Sequence, residues 1–222
     1  KKKRLLSIVF FVSQMLSFGI DGLKTTFFIP FLVFAGVLFY NKISAEQLKK
    51  WIVIAFTGVV SIGFLERLII KTNLIYTLFT RRIMFLPCYI GNCYFDFFSK
   101  NEPDFFKESL LRFVGVRSRY LEHGGVTLTI GETYYRSGVN FNNGLSSDAI
   151  ANLGILGCII MPVALIIVLR YLDRSSYLLD KRLTIATALY LSVVFLSSFL
   201  TTVLITHGVL ILIILLSMVK RE

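Results

Sequence analysis

The sequence predicts an all-α integral membrane protein, a polytopic helical bundle of about six spans with one long outer loop that contains short interfacial helices. Three observations carry that expectation. Mean hydropathy is +0.74, apolar runs of near-spanning length recur along the chain, and basic residues gather in the short connections between them. Phenylalanine alone supplies 21 of 222 residues, a composition foreign to soluble globular domains.

A spanning helix needs roughly 17 to 25 mostly apolar residues to cross a hydrocarbon core about 30 Å thick. Runs near that length lie at 5–20, 25–40, 51–70, 149–169, 183–200 and 205–219. The first follows Lys1, Lys2, Lys3 and Arg4 without a small-residue cleavage pattern, so it reads as a retained anchor rather than a signal peptide. The third carries Glu66 and Arg67 near its end and is expected to stop before them. Short loops rich in Lys and Arg stay in the cytoplasm. With the amino terminus inside, the inner connections hold Lys42, Lys49, Lys50, Arg170, Arg174, Lys181, Arg182, Lys220 and Arg221. Both termini are then cytoplasmic. Membrane lipids, and no nucleic acid, are the expected partners of this charge.

The chain thus divides into three spans at 1–70, an outer loop at 71–147 and three spans at 148–222. A connection this long is functional or disordered, and its aromatic residues, among them Tyr94, Phe98, Phe105, Phe106, Tyr120 and Tyr134, argue for order. Apolar periodicity in its first part suits short helices at the membrane interface.

Candidate functional residues concentrate in and beside that loop. Arg81 and Arg82 stand between apolar runs; a guanidinium fork suits a phosphate or diphosphate, although arginines so placed also snorkel to lipid headgroups. Arg117 and Arg119 read as solvated loop charges, and Arg136 as a further outer cation. Asp96 lies among aromatics, where it fits either a sugar platform or one polar contact on an interfacial helix. His123, beside Gly124 and Gly125, is a candidate base, since imidazole titrates near neutrality; His207 reads as a polar interface residue. Lys24, in a tight outer turn with Asp21, is an anchor or a second phosphate contact.

Cys88 and Cys93 would face outward, where a disulfide is allowed but not required. Two cysteines five apart with no second pair make no zinc site, no Asp-x-Asp is present for a metal-bound nucleotide sugar, and no cofactor motif is visible, so neither metal nor cofactor is expected.

The stretch "NFNNGLSSDAIANLGILGCII" changes from a polar loop to a membrane helix. Ala151, Gly154 and Gly157 repeat every third residue, a strip on which another helix can pack closely. Asp148 stands where the chain enters the bilayer. A cap on the free backbone donors there is one role; ionisable groups near membrane depth are otherwise candidates for function.

Three segments together resemble the carboxy-terminal half of the bacterial O-antigen and capsular polysaccharide polymerases, the oligosaccharide repeat unit polymerases often called Wzy, and more distantly the O-antigen ligases. They are "DGLKTTFFIPFLVF", "RRIMFLPCYIGNCYFDFFSKNEPDFF" and "FNNGLSSDAIANLGILGCII". Members of that family carry more than six spans, so upstream spans are expected to be missing from this chain. The resemblance implies a metal-independent glycosyltransferase on the outer face of the cytoplasmic membrane. Its donor and acceptor are both polyprenyl-diphosphate-linked oligosaccharides, and a chain-length regulator protein is an implied partner. Arg81 and Arg82, with Lys24 and Arg136, would then hold the departing diphosphate. Asn142, Asn143 and Asp148 would position sugar hydroxyls, Asp96 would contact a sugar, and Asp148 or His123 would be the base. The rivals are an O-antigen ligase, a lipid-linked oligosaccharide transporter and a truncated inactive fragment. A transporter should carry charge within several spans, whereas here charge is concentrated in one outer region.

Overall fold

The computed structural model describes residues 12, 13, 16, 24–39 and 44–219. Among them all regular structure is helical, as the hydropathy pattern requires. Three largely helical stretches are long and apolar enough to cross a bilayer, Lys49–Ile70, Gly144–Ser176 and Leu200–Met218, the last two each interrupted by a turn. Of the remaining expected spans, 25–40 corresponds to α1 (Lys24–Phe39), apolar from Phe27 onward, and 183–200 to the 17-residue α7 (Lys181–Ser197). The expected span at 5–20 falls outside the described residues except at 12, 13 and 16.

Helix α2 (Ala45–Leu65) begins with a reciprocal capping box. The Ser44 hydroxyl accepts from the Gln47 N–H at 3.2 Å, and the Gln47 side chain accepts from the Ser44 N–H at 3.0 Å. The α-helix ends at Leu65, but the chain does not leave the helix at Glu66 and Arg67. It runs on through Glu66–Ile70 as a π-helix. The chain then reverses at Lys71, which has a φ of 58°, and returns as a second π-helix, Tyr76–Phe85, continuous with α3 (Leu86–Lys100). The change of register falls at Pro87, which has no N–H to offer either ladder. Gly63 and Thr80 mark the crossing of this hairpin: a Cβ on Gly63 would lie 2.3 Å from the Thr80 hydroxyl, so a larger residue there would force the Thr80 side chain to move.

The segment after α3 has a core of its own. Ile90, Cys93, Tyr94 and Phe98 of α3 pack with Tyr120, with Val126 and Ile130 of α4 (Val126–Tyr134), and with Phe141 and Ala151. Of the aromatics that argue for order in the long connection, Tyr94, Phe98 and Tyr120 are buried in its interior, whereas Phe105 is exposed. Tyr94 is fully enclosed, and its hydroxyl donates to the Phe141 carbonyl at 2.9 Å.

Helix α5 (Gly144–Leu153) is separated from α6 (Gly157–Ser176) by a single turn at Gly154, whose φ of 59° and ψ of −146° suit glycine alone. The expected span at 149–169 is thus not one straight helix. A Cβ on Gly157 would lie 2.0 Å from the Ala149 carbonyl oxygen, and Ala149 and Met161 share one apolar cluster. In a continuous helix residues twelve apart are about 18 Å apart; here the chain folds α5 back on α6. The small residues Ala151, Gly154 and Gly157 accordingly do not form one strip. Ala151 packs into the core of the long connection, Gly154 makes the turn, and Gly157 admits the backbone of α5.

Helix α7 is capped by Asp180, which accepts from the Arg182 N–H at 2.7 Å, and α1 lies against it at Gly36 and Leu189. The chain ends in α8 (Leu200–Leu204) and α9 (Val209–Met218), joined by a turn at Gly208. Ile159, Ile160, Val163, Ile166 and Ile167 of α6 are exposed, an apolar flank of the kind lipid covers.

Candidate functional site

The π-helical hairpin builds a cationic pocket. Bonds from residue i to i+5 bring residues about five apart onto one face, so Tyr76, Arg81 and Phe85 line one side of an open pocket of about 490 Å³. Arg67, in the π-helical turn that follows α2, also lines it and lies over the Tyr76 ring at 4.7 Å, a contact that steadies the guanidinium. Asn73 and Thr77 complete the lining, and no carboxylate is among it. The one acid nearby, Glu66, is engaged elsewhere: it accepts from the Thr72 hydroxyl and from the N–H groups of Leu74, Ile75 and Tyr76, at 2.8 to 3.1 Å. It thereby caps the returning helix. Arg82, one position beyond Arg81, is exposed and does not line the pocket.

Asp148 is fully buried in the second turn of α5 and does not cap its own helix. Its Oδ1 accepts from Asn152 Nδ2 at 2.6 Å, and its Oδ2 accepts from the Leu200 N–H at 2.7 Å, the first turn of α8. Asn152 in turn accepts, through its side-chain oxygen, from the Phe106 N–H at 2.7 Å. A polar spine therefore runs from the long connection through α5 to α8. Asp148 does cap a helix, though a helix 52 residues away in sequence. Asn143 is also a tie: its side chain donates to the Pro87 carbonyl at 3.0 Å and to the Ser147 hydroxyl at 3.1 Å, joining α5 to α3. Asn142 is exposed.

The other residues singled out from the sequence lie apart from these groups. Asp96 accepts from Lys100 at 2.7 Å and from the Tyr134 hydroxyl at 2.5 Å, tethering α3 to α4. Lys100 and then Tyr134 hold its carboxyl below the ordinary aspartate range. A depressed carboxyl contributes stability that is present above its unfolded pKa, about 4, and is lost as pH falls through the lower folded value. Thermal unfolding of the wild type should therefore weaken more steeply below pH 4 than that of Asp96→Asn, in which this contribution is absent at every pH; parallel curves would remove the tether from the account. His123 faces Glu132 at 4.0 Å on the surface, and Arg136 is exposed over the Tyr135 ring at 5.4 Å. Lys24 opens α1, and its side chain lies outside the described residues. Cys88 and Cys93 are free thiols.

Two groups were not singled out from the sequence. Arg67 looked like the end of a span, and only the reversal at 71–75 carries it to Arg81. The second is a cleft between residues 104–113 and α8, lined by Asp104, Glu108, Arg112, Asn152, Thr201 and Thr202 among others. Asp104 is 3 % exposed; its Oδ2 accepts from the Glu108 N–H at 2.7 Å, and its Oδ1 has no partner among the described residues. Burial pushes the Glu108 carboxyl above its ordinary range and Asp104 adds to this, while the Val126 N–H, which it accepts at 2.8 Å, and Arg112 act against it. The i, i+4 spacing of the two acids after Pro103 was the one available signal. Among the described residues no group of three metal-ligating side chains comes together. No family model, no curated protein and no solved structure matches the chain.

Proposed function

We propose that the chain is a glycosyltransferase of the O-antigen and capsular polymerase type, which joins polyprenyl-diphosphate-linked oligosaccharide repeat units. The observation that carries this reading is the pocket in which Arg67 and Arg81 converge without a carboxylate, at the end of an apolar helix of spanning length. In the reaction a hydroxyl oxygen of the acceptor sugar bonds to the anomeric carbon of the donor. The bond from that carbon to the diphosphate breaks, polyprenyl diphosphate leaves with the electron pair, and the hydroxyl proton passes to the departing diphosphate or to water. Charge develops on the departing diphosphate, and fixed cations there stabilise the transition state more than the ground state. Two guanidinium forks, one held by an aromatic ring, match that demand.

The pocket belongs at headgroup depth, where the diphosphate of a lipid-linked sugar resides. We place it on the outer face of the bacterial cytoplasmic membrane, with both termini inside. Asp148 is read as a structural residue rather than a base, because both its oxygens already accept from the protein. The full-length protein, expressed in a polymerase-deficient strain, should restore a ladder of surface polysaccharide lengths on a gel. Single repeats alone would refute polymerisation. Long chains that form on polyprenyl diphosphate only when another polymerase is present, and then move to the lipid A core, would instead identify a ligase.

A further inference from the structure

The cleft beside the polar spine has the chemistry of a separate binding site. Its volume, about 470 Å³, falls within the range of small-ligand sites. Asp104 lines it, and the Oδ1 of that residue is buried with no partner among the described residues. Such an atom is destabilising unless a donor reaches it, and buried polar groups in native proteins nearly always have one. The backbone holding it is fixed: the N–H groups of Asp104 and Phe105 donate to the carbonyls of Ala151 and Asn152 at 2.7 and 3.2 Å, at the end of α5.

The lining of the cleft holds acceptors, a donor and hydroxyls. Glu108 supplies a second carboxyl, Arg112 a guanidinium, and Thr201, Thr202 and Thr206 supply hydroxyls, while Phe113 and Phe199 supply flat apolar faces. A free amine would be drawn by the two carboxyls but opposed by Arg112 in the same cleft. A divalent cation meets the same opposition and lacks a third acidic, His or Cys ligand. A group that presents several O–H donors, several oxygen acceptors and an apolar C–H face meets every element of the lining. That description fits a sugar ring.

We propose that this cleft is a carbohydrate subsite, with Asp104 Oδ1 accepting from a sugar hydroxyl and Thr201 completing the contact. The subsite does not need a diphosphate or a lipid. It extends the polymerase reading in one respect, since under that reading the bound sugar is a unit of the acceptor repeat.

The test is saturation-transfer NMR and titration of the purified full-length protein with lipid-free oligosaccharides from bacterial O-antigens and capsules. Asp104→Asn keeps an oxygen for the Glu108 N–H but turns the unpartnered acceptor into a donor. Thr201→Val keeps the shape and removes the hydroxyl. At least one oligosaccharide should bind the wild type, both variants should weaken it at least tenfold with thermal unfolding unchanged, and Arg81→Ala should leave it unaltered. Absence of binding to the whole set overturns the subsite. So does equal binding by both variants, or a loss that only follows a fall in stability, which would make Asp104 a structural carboxyl. If Asp104→Asn fails to fold, Thr201→Val decides. The two proposals fail separately: binding without ladders in cells sinks the polymerase and keeps the subsite, and ladders without binding do the reverse.

Discussion

Asp148→Ala and Asp148→Asn should both unfold at temperatures roughly 10 °C below the wild type. The carboxylate receives two donors, one on each oxygen: the Asn152 amide and the Leu200 N–H. Alanine leaves both without an acceptor in a fully buried position. Leaving a buried donor without its acceptor costs about 1 to 3 kcal/mol for each, and for a chain of this size each kcal/mol moves the midpoint by about 2 to 4 °C. Asparagine is the more telling change. It offers one acceptor and one NH2, so whichever way it turns, a donor faces a donor. A cap on a single N–H would tolerate asparagine well; this bridge should not. Circular dichroism of the purified variants during heating measures the effect, and Asp148→Asn with wild-type stability would show that the bridge between α5 and α8 is not formed. Asn152→Ala, which severs the same spine towards Phe106, should be destabilised in the same direction.

Arg67→Ala and Arg81→Ala should each lower polymerisation about 10- to 100-fold while the protein remains folded. The figure follows from a charge-assisted hydrogen bond of about 1.5 to 3 kcal/mol expressed in the transition state, where each 1.4 kcal/mol is a factor of about ten in rate. Arg81→Lys should fall between, because a lysine keeps the charge and loses the planar fork. Arg82→Ala is the internal comparison. It removes an identical charge one residue away, at a position that does not line the pocket. If both arginines merely snorkelled to headgroups, the two alanine variants would behave alike. Shorter ladders in Arg67→Ala and Arg81→Ala beside a normal ladder in Arg82→Ala are therefore the expected pattern.

The helical membrane character was legible because hydropathy is a sum over many residues and survives any local error. The order of the long connection was legible for a similar reason, since its aromatics had to be buried somewhere and Tyr94, Phe98 and Tyr120 bury one another. The reversal at Gly154 was not. The residues on either side of it, Leu153, Ile155 and Leu156, are apolar, so hydropathy runs on unbroken through a turn. A glycine three residues before another reads equally as a packing strip and as a breaker. Asp148 was found from its place in the chain, but its partner Leu200 comes from the other side of that reversal, and no local pattern announces it. Arg67 was passed over because its meeting with Arg81 depends on a hairpin and on a π-helical register, and residues spaced for an α-helix would point elsewhere. Asp104 was hidden for another reason. Its surroundings are set by Ala151 and Asn152, nearly fifty residues on.

The most direct measurement of the central claim is elongation by purified protein. The full-length chain, reconstituted in lipid vesicles with polyprenyl-diphosphate-linked repeat units as the sole substrate, should yield a ladder of lipid-linked products and release polyprenyl diphosphate in step with it. No added metal should be needed. The same folded protein leaving the single repeat unit unchanged, or Arg81→Ala elongating it as fast as the wild type, would contradict the account.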